Sequence, residues 1–185
     1  MAKALDGKRI AILSTDGVEQ SELTEPRAAL EKAGAKTDLV SPAAGKIQAM
    51  QHDEKGDKFD VDVELKSANP DDYDALVLPG GVANPDALRI IPEAVKFVRS
   101  FFDSRKPIAS ICHGPWMLVE ADIAQDHKLT SWPSLRTDIR NAGGDWVDEE
   151  VVQDGLITTS RKPDDLPAFN REMLKSFAEN SQRRE

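Results

Sequence analysis

At 185 residues with 39% apolar and 31% charged side chains, the chain suits one soluble domain over residues 1–185 and is long enough to bury a sizeable core. A formal net charge of −9 and a pI near 4.9 argue against a phosphate-tracking surface, so direct nucleic-acid binding is not expected. One cysteine excludes an internal disulfide framework, and neither a membrane-length apolar run nor a signal peptide is legible, so a cytoplasmic location without membrane association is expected.

The chain opens as strand, helix, strand: "RIAILS", then a helical "EPRAALEKAGA" running into Gly34, then "KTDLVSP". Two extended segments, "KIQAMQ" and "DKFDVDVEL", flank the polar "HDEKGD", whose composition predicts a hairpin or exposed loop. "DALVLPGG" is an apolar run closed by turn residues and suits a strand buried on both faces. In "PEAVKFVRSFFDSRK", Pro92 fits a first helical turn and Val95, Val98, Phe101 and Phe102 share a face. "PIASIC" reads as a second buried strand, "WMLVEADIA" as a helix, "KLTSW" as a strand and "PSLRTDIRNAGG" as a helix stopped by Gly143 and Gly144. "DWVDEEVVQDGLITTS" predicts a hairpin turning near Asp154 and Gly155. The last helix, "DLPAFNREMLKSF", places Leu166, Phe169, Met173 and Phe177 at core spacing. Strands alternating with helices indicate a parallel sheet covered on both faces.

In such a sheet, ligands bind beyond the carboxyl ends of the strands, and Cys112 stands at one of them. A buried thiol packing as a small hydrophobe is the ordinary fate of a lone cysteine. Here, however, Cys-His-Gly between strand and helix predicts a sharp turn like a nucleophile elbow, with a helix N-terminus favouring thiolate. Gly80 and Gly81 let backbone N–H groups approach a developing oxyanion, or simply make a tight turn. "STDGVEQSELTEP" brings Glu19 and Glu22 to the same side of the sheet. A carboxyl touching a thiolate resists ionisation, so one of the two is expected to stay protonated and hydrogen-bond the sulfur. His52 and His127 lack partners at metal-ligand spacing, so no metal is expected. Trp116, Trp132 and Trp146 read as packing residues, and "DEKGD" as a solvated turn.

The ordered set "GVEQSELTEP", "LVLPGG", "ASICHGP" and "NAGGDWVDEEVVQDGLITTSRKPDDLPAFNREML" resembles the PfpI family, in the superfamily of the human parkinsonism-linked deglycase. The resemblance covers nearly the whole chain. It implies a flavodoxin-like three-layer α/β/α sandwich of the class I glutamine amidotransferase type, with a mostly parallel central sheet and a nucleophile-elbow cysteine. It further implies a homo-oligomer and no cofactor. Carried over by position, Cys112 is the nucleophile, His113 its neighbouring histidine and Glu22 the glutamate bonded to the sulfur. Asp86 occupies the place of the acidic residue that orients the histidine of a neighbouring subunit, although the peptidase prototype has glutamate there. The oxyanion donors fall to the backbone of Gly80, Gly81 and His113.

Three functions fit this set. Hydrolytic removal of methylglyoxal or glyoxal adducts leads, because an aspartate in place of the prototype's glutamate is expected to orient His113 less firmly than peptide cleavage requires. An intracellular cysteine peptidase and a redox-sensing protein oxidised at Cys112 are the alternatives.

Overall fold

The computed structural model describes residues 2–182. In chain order its strands are β1 (Arg9–Leu13), β2 (Val18–Glu19), β3 (Lys36–Ser41), β4 (Lys46–Gln51), β5 (Glu54–Asp60), β6 (Val63–Glu64), β7 (Ala75–Leu78), β8 (Ile108–Ile111), β9 (Lys128–Leu129), β10 (Asp145–Trp146), β11 (Val151–Asp154) and β12 (Ile157–Ser160). Its helices are α1 (Gln20–Lys32), α2 (Ala83–Leu88), α3 (Pro92–Asp103), α4 (Trp116–Glu120), α5 (Arg136–Asn141) and α6 (Leu166–Gln182).

Side-chain alternation along the central strands builds the layers. Ile10 and Ile12 of β1 and Val77 of β7 point into one apolar layer with α1 and α6, where Leu23, Leu30, Phe169 and Met173 meet them. Leu13, Leu76 and Leu78 point to the opposite layer, filled by Phe97, Val98 and Phe101 of α3 and by Met117 and Leu118 of α4. Strands buried on both faces lack a polar side, which is why these segments are continuous apolar runs. The main sheet runs β11-β12-β8-β7-β1-β3-β6, parallel except for β11. The fold is the mostly parallel flavodoxin-like α/β sandwich expected. Its strand order reverses between β1 and β7, and the loops beyond their carboxyl ends diverge there to open a crevice.

Several local expectations are corrected. α1 begins at Gln20, well before "EPRAALEK", and carries Pro26 inside it, so Glu22 lies in a helical first turn and not in a loop. The missing N–H of Pro26 falls opposite the Glu22 carbonyl, where an uninterrupted helix would place a bond. Only His52 and Asp53 turn the hairpin at "HDEKGD"; the chain from Glu54 onward already pairs with β4. α4 ends at Glu120 because Asp122, at φ 57°, closes a Schellman turn in which the Ile123 N–H donates to the Leu118 carbonyl at 2.9 Å. "KLTSW" contributes only β9, which pairs with β10 outside the main sheet, leaving β11 and β12 as the hairpin. On α3, Ala94 and Phe97 are buried with Val98 and Phe101, while Val95 and Phe102 are half-buried at the margin.

Candidate active site

The crevice is a cleft of about 750 Å³ with Cys112, Glu22 and His113 in its wall. β8 delivers Cys112 at its carboxyl end, with left-handed backbone at φ 63°. That conformation costs a side-chain-bearing residue about 1–2 kcal/mol and persists where surrounding bonds fix it. Two do: the Cys112 N–H donates to the Ser160 carbonyl at 3.0 Å, and the Cys112 carbonyl accepts from the Trp132 N–H at 2.9 Å.

The first turn of α1 carries Glu22 beneath the sulfur, fully buried. Its Oε1 accepts the Gly80 N–H at 2.9 Å, whereas Oε2 is buried without a hydrogen-bond partner of regular geometry. Burial pushes its carboxyl up to about 8; the Glu19 charge adds to the rise, and bonds from Gly80, the Cys112 thiol and Gly81 oppose it. Glu22 therefore holds its proton at neutral pH. Glu19, half-buried on the cleft wall, accepts the His52 N–H at 3.2 Å.

The thiol departs from the sequence expectation. Burial pushes it up, and Glu22 and Glu19 push the same way; only the N–H groups of His113 and Gly81 favour the thiolate. α4 starts four residues beyond the sulfur and is a five-residue helix, too short for its dipole to outweigh desolvation. Activation thus requires a base, and the His113 Nδ1 lies 3.2 Å from Sγ. Burial lowers the imidazole pKa, keeping it neutral. Its Nε2 faces the Ser134 hydroxyl at 3.5 Å. With the ring proton on Nε2, Nδ1 is left to accept from the thiol.

Of the backbone donors expected from sequence, Gly81 and His113 point at the sulfur, while Gly80 is engaged by Glu22. A Cβ at Gly80 would stand 2.5 Å from Glu22 Oε1 and 2.7 Å from the Cys112 Cβ, and Gly81 has φ 75°, so both positions need glycine for close approach. Asp86 is exposed on α2, and no bond joins it to His113 of the same chain. Trp132 is corrected from packing residue to cleft wall: it is 39% exposed and stacks on His113 at 6.0 Å. His52 lies on the rim of the cleft, beside Met50 and Asp53. Trp116 packs behind His113, edge-on at 5.1 Å, and donates its Nε1–H to Asp138. Among the described residues, no group of three His, Cys, Asp or Glu side chains has the arrangement of a metal site.

Sequence reasoning missed Asn84 and Ser134. Asn84 is fully buried and ties two loops of the crevice together, accepting from Thr15 N–H at 2.8 Å and donating to the carbonyl of Gly80 at 3.0 Å. A lone amide three residues after a glycine pair was the available signal. Ser134, one of several hydroxyls in "TSWPS", carried none.

Together the crossover, the left-handed cysteine and the buried carboxyl define a flavodoxin-like sandwich with a cysteine elbow. The chain belongs to the DJ-1/PfpI family, whose pattern matches residues 8–176. It is 43% identical over 169 residues to protein/nucleic acid deglycase 2 of Escherichia coli, covering 91% of this chain and 96% of that one. It is 42% identical over 170 residues to general stress protein 18 of Bacillus subtilis, with 91% and 96% covered. The crystal structure of Drosophila melanogaster DJ-1beta superposes with a TM-score of 0.84 at 27% identity, covering 95% of this chain and 94% of that one. Among the described residues, no helix is long and apolar enough to cross a membrane.

Proposed function

We propose that the protein is a cytoplasmic stress-response enzyme that uses Cys112 to remove early methylglyoxal and glyoxal adducts from amines and thiols. The observation that carries this reading is a buried carboxyl, with its pKa up at about 8, set against a thiol and a neutral imidazole. These are a nucleophile, its base and a proton carrier able to exchange near neutral pH. The names deglycase and general stress protein on relatives above 40% identity support it.

His113 Nδ1 takes the thiol proton as Sγ bonds to the carbinol carbon of the adduct; the carbon–nitrogen bond breaks and the amine leaves with that proton. The resulting thiohemiacetal becomes a thioester through an enediol: Glu22 in its ionised form takes the proton of the attacked carbon and returns it to the neighbouring carbonyl carbon, while the hydroxyl proton on the attacked carbon passes to the neighbouring oxygen. Water then releases a 2-hydroxy acid and restores the thiol. The attacked carbon is oxidised as its neighbour is reduced, so one water is consumed and no external oxidant or cofactor is needed.

Peptide hydrolysis is the second reading, and the exposure of Asp86 on α2 favours it in one form only: a homo-oligomer in which Asp86 reaches the partner's imidazole. A redox role draws on the same site, since a protonated Glu22 and the N–H groups of Gly81 and His113 would bond an oxidised sulfur.

The test compares methylglyoxal adducts, free methylglyoxal and casein as substrates of the wild type and Cys112→Ser. Adduct turnover that vanishes in the variant is expected. Casein cleavage lost in the variant, with adducts untouched by either protein, would make it a peptidase.

A further inference from the structure

The rim of the cleft carries charge of predominantly one sign. The carboxylates of Glu19, Asp53 and Asp164 line it, against the single ammonium of Lys162, which pairs with Asp164 at 4.0 Å. Met50, Val82, Trp132 and Pro163 give the same cleft an apolar lining. The cleft is also lined by the buried Glu22 carboxyl, whose Oε2 has no hydrogen bond of regular geometry. The rim is also held in place. Arg161 clamps the buried Asp165 through both carboxylate oxygens at 3.0 Å, which fixes the loop bearing Lys162 and Asp164.

Charges of one sign around a cleft with low-dielectric walls concentrate their field inside it. Resting on the deglycase reading above, we infer that the cleft selects carbonyl adducts carried by cationic amines, the side chains of lysine and arginine in proteins, over adducts of anionic thiols or of nucleotides. The adduct's nitrogen is bonded to the carbon that Cys112 attacks, so the basic group lies inside the cleft, beside the Trp132 face and within the field of the acidic rim, while the apolar lining takes the short carbonyl-derived carbon chain. A nucleotide adduct brings phosphate to the same rim and is repelled, as is an acidic thiol tripeptide such as glutathione.

Because the chain has one cysteine, the potential at the sulfur can be read without any turnover. Cys112 is treated with methanethiosulfonates bearing a trimethylammonium, a neutral methyl or a sulfonate group, each rate divided by that of free mercaptoethanol. The expected preference for cation over anion is about tenfold at low salt, shrinking as ionic strength rises. Asp53→Asn combined with Asp164→Asn should bring the ratio towards that of the free thiol. A wild-type ratio equal to the free thiol's, or one unmoved by the double substitution, overturns the inference.

A second arm follows turnover of methylglyoxal adducts of Nα-acetyl-arginine amide, glutathione and guanosine monophosphate, with the arginine adduct expected first. Preference for the guanosine adduct overturns the inference. Loss of all turnover with the reagent ratio intact removes the deglycase reading and leaves the cation-selective cleft standing.

Discussion

At Cys112 the effects expected from a helix N-terminus and from burial oppose one another, and burial wins. A thiol in this wall should alkylate with a pH inflection above the roughly 8.5 of free cysteine, because desolvation and two nearby carboxylates disfavour the thiolate. Iodoacetamide rates against pH measure it. Glu22→Gln should move that inflection down: the wild-type carboxyl ionises at about 8 and then repels the thiolate, and an amide does not. Alkylation about tenfold faster than wild type at alkaline pH is the expected size. The same group sets a stability slope. Folded Glu22 keeps its proton up to about 8, while an unfolded glutamate releases it near 4.5, so the folded state binds more protons between these values. Stability is fully present below that window and falls as pH rises through it. Urea midpoints across the window should drop for the wild type and drop less for Glu22→Gln. A flat wild-type slope would remove the buried neutral carboxyl.

At the scale of elements, three chain segments meet to make the site. The β7 turn supplies Gly80, α1 supplies Glu22 and β8 supplies Cys112, and the contact between them leaves no room for a methyl group. Gly80→Ala would set its Cβ 2.5 Å from Glu22 Oε1 and against the Ile111 carbonyl at 2.8 Å. Overpacking of this kind costs about 2 kcal/mol, and here the strain falls on α1 and the elbow together. Thermal or urea denaturation should show the loss, accompanied by a changed alkylation rate at Cys112. An unchanged rate would mean that the turn relaxes away from the sulfur.

For the whole molecule, the segment around α2 carries two of the exposed large apolar side chains, Val82 at 57% and Ile90 at 80%, on either side of Asp86. A surface of this kind suits a second copy of the chain, with Asp86 brought to the partner's imidazole. Light scattering after size exclusion should then report an oligomer that Ile90→Asp reduces to monomer. Asp86→Ala should lower turnover that needs His113 as an acid while leaving simple alkylation of Cys112 nearly unchanged. A monomeric wild type with full turnover would exclude the shared site.

The fold was legible because its strands are buried on both faces: runs such as "DALVL" and "PIASI" allow little else, and glycines at 34 and 80–81 punctuate them. The elbow was legible for the same reason, since a strand end followed by Cys-His-Gly leaves the thiol outside the sheet. What the sequence could not decide depends on competition between distant groups. Whether Pro26 begins α1 or sits inside it turns on the packing of Leu23 and Leu30 against the sheet, and that choice is what buries Glu22. Trp132 could be given its place on His113 only by the chain crossing from β9, and the thiol's proton affinity only by the dielectric around it. Local pattern sets which segments are strands and where they stop; desolvation and charge proximity exist only once tertiary packing has brought α1, β7 and β8 to one point.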